Sequence, residues 1–370
     1  MRILYLIDTL AFGGAERQFV ELIRGVSKRE EIEPFVCYFT ETAQGYKSQF
    51  LELGIPLNLL ERTRKHDPGL IFKIRHYCLK NKIDLIHSFS TLAGLVAVIC
   101  GKLCGIPVVA STIRNAKDDN LRTYISIRFQ SFLADRFVAN SYAGFKNRFK
   151  KMKPHFQVVY NGIDPERFRI NPVESQKVRK IYNLDRFKHV VSMVASLSRN
   201  KDFDTFIDAI PLVLEAKPNT VFLLVGDGSE RPRLEKKVHD LSIGDNVIFT
   251  GYTHDVIGIL ANTDISVLMT NASRIVEGIS NSLLESLAMG VPVIASRGGG
   301  TDEVIENGIN GMLVAPYDAK GLARAILDML GNRSFRKRLG DAGKKTVGTK
   351  FGFERYIREY GQIYHDVIDK

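Results

Sequence analysis

The sequence predicts an α/β protein with two doubly wound domains, each a parallel sheet covered by helices on both faces. Three observations support this fold class. The chain has 370 residues, whereas one domain takes about 150. Short apolar runs rich in β-branched residues alternate with amphipathic stretches of helical period. This alternation restarts after Pro172. We therefore expect an N-terminal domain over residues 1–170, a C-terminal domain over 171–352 and a last helix over 353–370.

The predicted strands are continuous apolar runs, as expected for strands buried on both faces. In the first domain they span residues 2–7, 34–39, 84–89, 107–112, 136–141 and 157–161. In the second they span residues 189–196, 221–226, 247–251, 264–269, 292–296 and 311–315. Helical periodicity then continues from Ala319, and the last helix can cross back to the first domain. Ligands of open α/β sheets bind beyond the carboxyl ends of the strands, so two domains facing across a cleft would hold a ligand there.

Composition excludes several classes of protein. A chain that is 45% hydrophobic and 25% charged is neither disordered nor fibrous. The longest apolar run falls short of the ~20 residues of a membrane span, and Asp8 ends the first one too early for a signal peptide. We expect a soluble, cytoplasmic chain. The cysteines form no CxxC pair and are expected to be small buried side chains in a reducing compartment; they are Cys37, Cys78, Cys100 and Cys104.

The net charge of +11 is concentrated in one segment. Residues 122–153 contain a single acid, Asp135, and eight bases, which are Arg122, Arg128, Arg136, Lys146, Arg148, Lys150, Lys151 and Lys153. Aromatic and apolar residues are interleaved with them. Such a segment can bind an anionic membrane surface or nucleic acid. Alternatively, it is a solvated helix face whose aromatics pack on the core. No recognition helix or RNA-binding motif accompanies it, so nucleic acid is not expected as a partner.

Two loops that follow predicted strands could bind phosphate groups. Gly13 and Gly14 open a helix after the first strand, and helix N-terminal amides favour an anion. Arg199 and Lys201 follow the first strand of the second domain. An arginine fork and a lysine point charge together suit a diphosphate, although both could also be solvated loop bases.

Residues 277–285 form the most informative segment. Ser280 or Asn281 can cap the helix that follows, whose N-terminus is a further anion site, and Gly278 lets the backbone lie close to a ligand. Glu285 lies just over one turn inside that helix and offers two acceptor oxygens to a pair of neighbouring hydroxyls. Glu277, ahead of the helix, could hold a second polyol.

Three other motifs are better explained by structure than by chemistry. Asp202 and Asp204 match a metal-binding Asp-x-Asp pattern, but they open a helix, so capping is expected. Residues 226–231 begin a dinucleotide-binding glycine pattern but have Arg231 in place of the third glycine, which argues against a nicotinamide-dependent dehydrogenase. Residues 340–346 resemble a phosphate-binding loop with the wrong spacing. No metal site is expected.

Taken together, these motifs resemble the retaining glycosyltransferases of family 4, also called group 1, which have the GT-B architecture of two Rossmann-like domains. The resemblance covers nearly the whole chain. The segments that carry it are GGAER from residue 13, NGID from 161, the basic loop at 199–201, VGDG from 225, FTG from 249, EGISNSLLESLAMGVPVIAS from 277 and GGGTDEVIENGINGMLV from 298.

The resemblance implies a role for each matching position. Glu285 would bind the ribose of a nucleotide sugar, and Glu277 would contact the transferred sugar. Lys201 would bind the donor diphosphate, over which the loop at Gly14 would close. Backbone contacts to the sugar are implied for Gly278, Ile279 and Ser280. Neither a cofactor nor a metal is implied, since helix amides and basic side chains take the charge of the leaving group.

Two positions depart from the family pattern. Ser196 stands where members usually have an arginine that binds the diphosphate, and Arg199 could replace it. Arg114 stands where many members have a histidine near the sugar. Arginine stays charged and cannot act as a base, so on the acceptor or sugar side Arg114 would bind an anionic group.

The resemblance implies transfer of a sugar from a UDP- or GDP-sugar to a hydroxyl of a lipid-linked or saccharide acceptor. The anomeric configuration would be retained, and the product would belong to a cell-surface polysaccharide or glycolipid. The basic segment 122–153 could hold such an enzyme peripherally on an anionic membrane. The alternatives are a sugar-nucleotide epimerase of the same fold and a basic nucleic-acid-binding protein.

Overall fold

The structure, a computed structural model, describes residues 1–63, 67–117, 121–253, 255–271 and 276–369. The chain divides into two compact units. Unit 1 comprises Met1–Gly162 and Phe353–Lys370, and unit 2 comprises Ile163–Gly352. The chain leaves unit 1 before residue 170, because the short 3₁₀ helix Pro165–Phe168 packs on the helix Asn281–Ala288 of unit 2.

Unit 1 contains a seven-stranded sheet with the order β3-β2-β1-β4-β5-β7-β8, and its neighbouring strands are parallel. The strands of unit 1 are β1 (Arg2–Thr9), β2 (Glu33–Thr40), β3 (Leu57–Leu59), β4 (Leu85–Ser88), β5 (Val108–Ile113), β6 (Asn115–Lys117), β7 (Arg136–Ala139) and β8 (Phe156–Val158). Each of the six predicted strands is present. Strands β3 and β6 were not predicted, because each has three residues and makes no apolar run.

The helices of unit 1 cover the two faces of this sheet. They are α1 (Gly14–Val26), α2 (Lys47–Glu52), α3 (Gly69–Asn81), α4 (Thr91–Cys104), α5 (Leu121–Leu133), α6 (Tyr142–Lys146) and the C-terminal helix α15 (Phe353–Ile368). Helix α15 buries Tyr356, Tyr360 and Tyr364 in the core around β1 and α1. Gly25 allows α1 to approach it closely, since a Cβ there would lie 2.2 Å from Ile357. The last helix is thus part of unit 1.

Unit 2 contains a six-stranded sheet with the order β11-β10-β9-β12-β14-β15, again parallel. Its strands are β9 (His189–Val194), β10 (Thr220–Val225), β11 (Val247–Gly251), β12 (Ile265–Leu268), β13 (Val276–Glu277), β14 (Val293–Ser296) and β15 (Met312–Val314). Its helices are α7 (Pro172–Ile181), α8 (Phe203–Ala216), α9 (Arg231–Asp240), α10 (Val256–Ala261), α11 (Asn281–Ala288), α12 (Thr301–Val304), α13 (Ala319–Gly331) and α14 (Arg333–Lys350). The prediction of two doubly wound α/β domains is confirmed.

The structure also describes the apolar helices and the four cysteines of the chain. Among the described residues no helix combines the length and the apolarity needed to cross a bilayer. The cysteines are free thiols; Cys37, Cys78 and Cys100 are buried and Cys104 is partly exposed. Burial raises the pKa of the Cys37 thiol to about 12, so this side chain behaves as a small apolar group.

Candidate functional site

The candidate site of unit 2 is assembled from loops at the carboxyl edge of the sheet. The backbone N–H of Asp202 donates to the carbonyl of Met269 (3.0 Å), and that of Asn271 donates to Asn200 (3.0 Å). Between these contacts Lys201 forms a β-bridge with Thr270. The loop after β9 is thereby joined to the loop after β12, which fixes the backbone from which Lys201 projects.

The side chains of Lys201 and Glu277 form an ion pair between Nζ and Oε1. The hydroxyl of Thr270 donates to the other carboxylate oxygen of Glu277 at 3.1 Å. The two charged side chains are only 13% and 22% exposed, so the pair is weakly screened by solvent. Lys201, Glu277 and Arg199 are the three side chains predicted to act at the sugar and the diphosphate. The structure brings the first two together and adds Thr270, which carries no motif in the sequence.

A triple glycine holds the backbone next to this pair. The N–H of Gly300 donates to the carbonyl of Glu277 at 2.9 Å. A Cβ at Gly299, whose φ is +61°, would lie 2.1 Å from that same oxygen, and one at Gly300 would lie 2.4 Å from the carbonyl carbon of Gly278. Only glycine permits this close approach. These positioning glycines could have been found from the sequence, because three adjacent glycines at 298–300 indicate a segment that packs closely on another backbone.

Helix α11 begins just after Glu277 and presents its N-terminus at the site. Ser280 is the N-cap residue, and its hydroxyl lies 3.0 Å from that of Ser282. Within the described part of the chain Ser280 makes no side-chain cap hydrogen bond, so its hydroxyl does not occupy the positive end of the helix, which can bind an anion. Ile279 and Ser280 are buried, and Glu285 is buried within α11.

Arg199, the other basic residue of this loop, contacts a different carboxylate, that of Glu230. Its side chain is 66% exposed, and its Nε donates to Glu230 at 3.0 Å. Hydrogen bonds from Arg233 and then from Arg199 lower the pKa of the Glu230 carboxyl. Ser196, at the position of the missing arginine, contacts the hydroxyl of Ser198 at 3.1 Å. Of the basic loop, Lys201 is the side chain that the structure brings to Glu277.

The Asp-x-Asp motif is structural. Asp202 caps helix α8 by accepting from the N–H of Thr205 at 3.1 Å. Asp204 accepts from Arg233 and Lys237, and chiefly the Arg233 hydrogen bonds lower its pKa to about 2. Among the described residues no group of three His, Cys, Asp or Glu side chains could hold a metal ion.

The glycine pattern after β10 is also structural. Gly226 has a φ of +138°, and a Cβ there would lie 2.1 Å from the carbonyl oxygen of Ala195. The loops after β9 and β10 can therefore touch only with glycine at this position. This contact accounts for the residues that resembled the start of a dinucleotide-binding pattern.

Unit 1 places its candidate residues at the carboxyl edge of its own sheet. Gly14 is exposed at the start of α1, after the extended N-cap residue Gly13. Arg114 directly follows β5, and its guanidinium carbon lies 4.1 Å from the ring centroid of Phe89, which directly follows β4. Its Nη1 is 3.4 Å from Oδ1 of Asn161. The functional roles of Gly14 and Arg114, like those of the unit 2 residues, remain predictions.

Comparison with known proteins identifies the family. Residues 12–167 match the family model described as Glycosyltransferase Family 4, and residues 174–346 match the one described as Glycosyl transferases group 1. The lipopolysaccharide core biosynthesis glycosyltransferase LpsE of Rhizobium meliloti is 33% identical in an alignment of 367 positions that covers 95% of each chain. The chain belongs to the group 1 glycosyltransferases of family 4. This glycosyltransferase is also 26% identical to the N-acetyl-alpha-D-glucosaminyl L-malate synthase of Bacillus anthracis, over 82% of this chain and 80% of the relative.

The fold of this glycosyltransferase is shared with solved structures. HepE of Anabaena, crystallised in complex with UDP, superimposes with a TM-score of 0.87 at 22% identity, over 99% of this chain and 100% of HepE. HepE has also been solved in complex with UDP-glucose. These similarities confirm the predicted GT-B fold, and family membership implies a transferase activity.

Proposed function

We propose that this glycosyltransferase moves a sugar from a nucleoside-diphosphate sugar to a hydroxyl acceptor, with retention and without a metal. The observation that carries the proposal is the juxtaposition of Lys201, Glu277 and the N-terminus of α11, with Glu285 buried inside that helix. This arrangement combines positive charge for a diphosphate with two carboxylates for sugar hydroxyls. The UDP bound to HepE supports a nucleotide donor, either a UDP- or a GDP-sugar.

In this mechanism, the main contribution to catalysis is the stabilisation of negative charge on the leaving diphosphate. Lys201 and the first-turn amides of α11 bind the diphosphate and take up the negative charge that develops as the bond from the sugar to the phosphate breaks. Glu285 accepts hydrogen bonds from the ribose hydroxyls, while Glu277 and the backbone of residues 278–280 orient the sugar. The acceptor hydroxyl attacks the face that the diphosphate leaves and passes its proton to the leaving phosphate oxygen. No protein side chain is required as the base.

The acceptor we propose is a lipid-linked saccharide, reached from the cytoplasmic side of a membrane. The relative LpsE acts in lipopolysaccharide core biosynthesis. In unit 1, helix α5 supports this proposal, because a line of large apolar side chains at helical spacing is exposed along it: Leu121, Ile125, Phe129 and Phe132. Its opposite side, with Ile127 and Gln130, is buried. Unlike an ordinary solvated face, α5 therefore presents apolar side chains to the surroundings.

Exposed bases accompany this apolar line, so we define the α5 surface as these four apolar side chains together with Arg122, Arg128, Lys146, Lys150, Lys151 and Lys153. Two of the eight predicted bases are not exposed: Arg148 is buried, and Arg136 is partly buried, 4.0 Å from Asp366. The predicted packing of aromatics on the core holds for Phe145 and Phe149 but not for Phe132. Cations beside exposed aromatic and aliphatic groups suit the interface of an anionic bilayer.

The donor proposal is tested by binding of UDP-, GDP- and ADP-sugars to the purified protein, measured as a shift of the unfolding midpoint and as donor hydrolysis in a buffer with a metal chelator. We expect one nucleotide class to stabilise the protein and to be hydrolysed. A protein stabilised by none of them contradicts the proposal, and activity that disappears with the chelator contradicts metal independence.

The membrane proposal is tested by flotation with vesicles of phosphatidylcholine, with and without phosphatidylglycerol. We expect binding only to the anionic vesicles, and loss of binding for Ile125→Ser with Phe132→Ser. Phe72→Ser is the matched control, since Phe72 is equally exposed but lies on α3. Each of Lys150→Ala and Lys151→Ala should weaken binding up to about fivefold, which corresponds to roughly 1 kcal/mol per base. Equal binding to neutral vesicles, or none to either, would refute the proposal.

A further inference from the structure

Thr270, which lies just after strand β12, has a backbone that is held from two sides. Its N–H donates to the hydroxyl of Ser296, the last residue of β14, at 3.0 Å, and it forms the β-bridge with Lys201. Both Thr270 and Ser296 are buried. A β-branched side chain has few rotamers once its backbone is fixed, so the segments that meet at this edge of the sheet set the direction of the Thr270 hydroxyl.

The Thr270 hydroxyl and the Lys201 ammonium hold different oxygens of the Glu277 carboxylate. The hydroxyl donates to Oε2 at 3.1 Å, and Lys201 pairs with Oε1. The last torsion of a glutamate side chain has a broad range, so a carboxylate held at one oxygen can still rotate. A donor at each oxygen fixes its plane. Thr270 therefore supplies the second point of attachment.

The two donors differ in what else they can bind. An ammonium group has three N–H donors and a positive charge, so Lys201 can contact both a carboxylate and a diphosphate. A hydroxyl is neutral and has a single hydrogen to donate, which in Thr270 goes to Glu277. When a diphosphate attracts Lys201, Thr270 is the donor that stays on the carboxylate.

We propose that Thr270 is a positioning residue of the transfer reaction, whose hydroxyl holds the Glu277 carboxylate in the orientation that contacts the sugar. The roles of Glu277 and Lys201 in this proposal rest on the proposed function, whereas the hydrogen bond from Thr270 does not. Because Thr270 acts through Glu277, loss of its hydroxyl should impair the orientation of the sugar more than the binding of the nucleotide, which is assigned to Glu285 and the N-terminus of α11.

The first test compares Thr270→Val, which keeps the shape of the side chain without the hydroxyl, with Thr270→Ser, which keeps the hydroxyl. Hydrolysis of UDP-glucose, GDP-mannose and ADP-glucose is measured as kcat and donor KM. Loss of one hydrogen bond that orients the transition state should lower the kcat of Thr270→Val about tenfold, with KM within about threefold of wild type. Thr270→Ser should stay within about threefold of wild type in both constants.

Thr220→Val is the matched control for this change. Thr220 is buried in the same unit, and its hydroxyl donates to the carbonyl of Lys217 at 2.8 Å, but it is the first residue of β10 and so lies at the amino edge of the sheet. We expect Thr220→Val to lower stability without changing kcat. A wild-type kcat for Thr270→Val, or a Thr270→Ser variant as slow as Thr270→Val, would overturn the proposal.

A double-mutant cycle in denaturant unfolding tests the contact without any nucleotide. It combines Thr270→Val with Glu277→Ala, and we expect the two changes to be coupled by about tenfold in the unfolding equilibrium constant. Thr220→Val and Glu277→Ala should be additive. Additivity of Thr270→Val and Glu277→Ala would overturn the proposal. If the coupling is present but the wild type hydrolyses none of the three nucleotide sugars, the donor proposal is contradicted, while the coupling still shows that Thr270 holds Glu277.

Discussion

Each unit places a basic side chain at the carboxyl edge of its sheet, but the two side chains have different kinds of partner. In unit 2, Lys201 is paired with Glu277, whose backbone is held by Gly299 and Gly300. In unit 1, Arg114 stacks on Phe89 and, among the described residues, has no carboxylate in ion-pair contact. The basic side chain of unit 2 thus has a carboxylate partner, whereas that of unit 1 stacks on an aromatic ring.

The difference has energetic consequences. A buried ion pair offsets the cost of removing its charges from water, so losing one member leaves the other uncompensated. A buried charge without an oppositely charged partner, by contrast, reduces the stability of the folded protein. Lys201 should therefore be needed both for the stability of the fold and for catalysis, whereas Arg114 should add little to stability.

The largest expected effect is on turnover. Lys201→Ala removes a preorganised positive charge from the leaving diphosphate, so we expect kcat to fall about 10²–10³-fold. The measurement is steady-state transfer, or donor hydrolysis while the acceptor is unknown. Lys320→Ala, at an exposed position of the same unit, serves as control. A kcat within threefold of wild type would remove Lys201 from the mechanism.

The second prediction concerns stability and compares the two cations directly. Lys201→Met should lower the free energy of unfolding by about 2–3 kcal/mol, somewhat less than for a fully buried pair, since Glu277 keeps Thr270 as a partner. Arg114→Met removes a charge that has no carboxylate in ion-pair contact among the described residues, and it should leave stability unchanged or raise it by about 1 kcal/mol. Denaturant unfolding without ligands measures both. Equal destabilisation by the two substitutions would contradict the predicted difference between Lys201 and Arg114 in their contribution to stability.

The third prediction tests the ribose role of Glu285. Glu285→Ala removes a charged acceptor of hydrogen bonds, each worth roughly 1.5–3 kcal/mol, so the donor KM should rise about tenfold or more with a smaller change in kcat. Because Glu285 is buried in α11, the unfolding midpoint is measured alongside. Glu215→Ala, at an exposed position on α8, is the control. An unchanged KM in a folded variant rules the role out.

The smallest effect is a dependence of stability on pH that comes from unit 1. His87 is buried, and burial followed by the charge of Arg114 keeps its pKa well below 6.5 in the folded protein. In the unfolded chain it binds a proton below about pH 6.5, so stability is lost as the pH falls below that value. One such site contributes up to about 1.4 kcal/mol per pH unit.

The readout for His87 is the slope of the unfolding free energy between about pH 7 and pH 5, compared with His87→Asn. The variant should be less stable throughout, because His87 contacts Tyr364 and Ser111, yet its slope should be shallower. His239→Asn, at an exposed site, should keep the wild-type slope. Identical slopes in wild type and His87→Asn would show that His87 does not cause the dependence.

Most strands and helices could be predicted from the sequence, because strands buried on both faces are continuous apolar runs. Residues of the site could be grouped from the sequence only where they are close together in the chain. Glu277, Gly278 and Glu285 belong to one segment and could be grouped in advance, whereas Thr270 had no sequence signal as the second partner of Glu277. Arg199 and Lys201, two positions apart, looked equivalent in sequence, but their side chains reach different carboxylates.

The sequence by itself therefore determined the two parallel sheets, the family and the segment that carries Glu277 and Glu285, since each depends on local patterns of apolar residues, glycines and carboxylates. Only the tertiary structure decided which charges are paired. Lys201 meets Glu277 across 76 positions of chain, and Arg114 stacks on a ring that follows another strand. Ion pairing depends on distances of a few ångströms between residues far apart in sequence, and such distances arise only once the chain has folded.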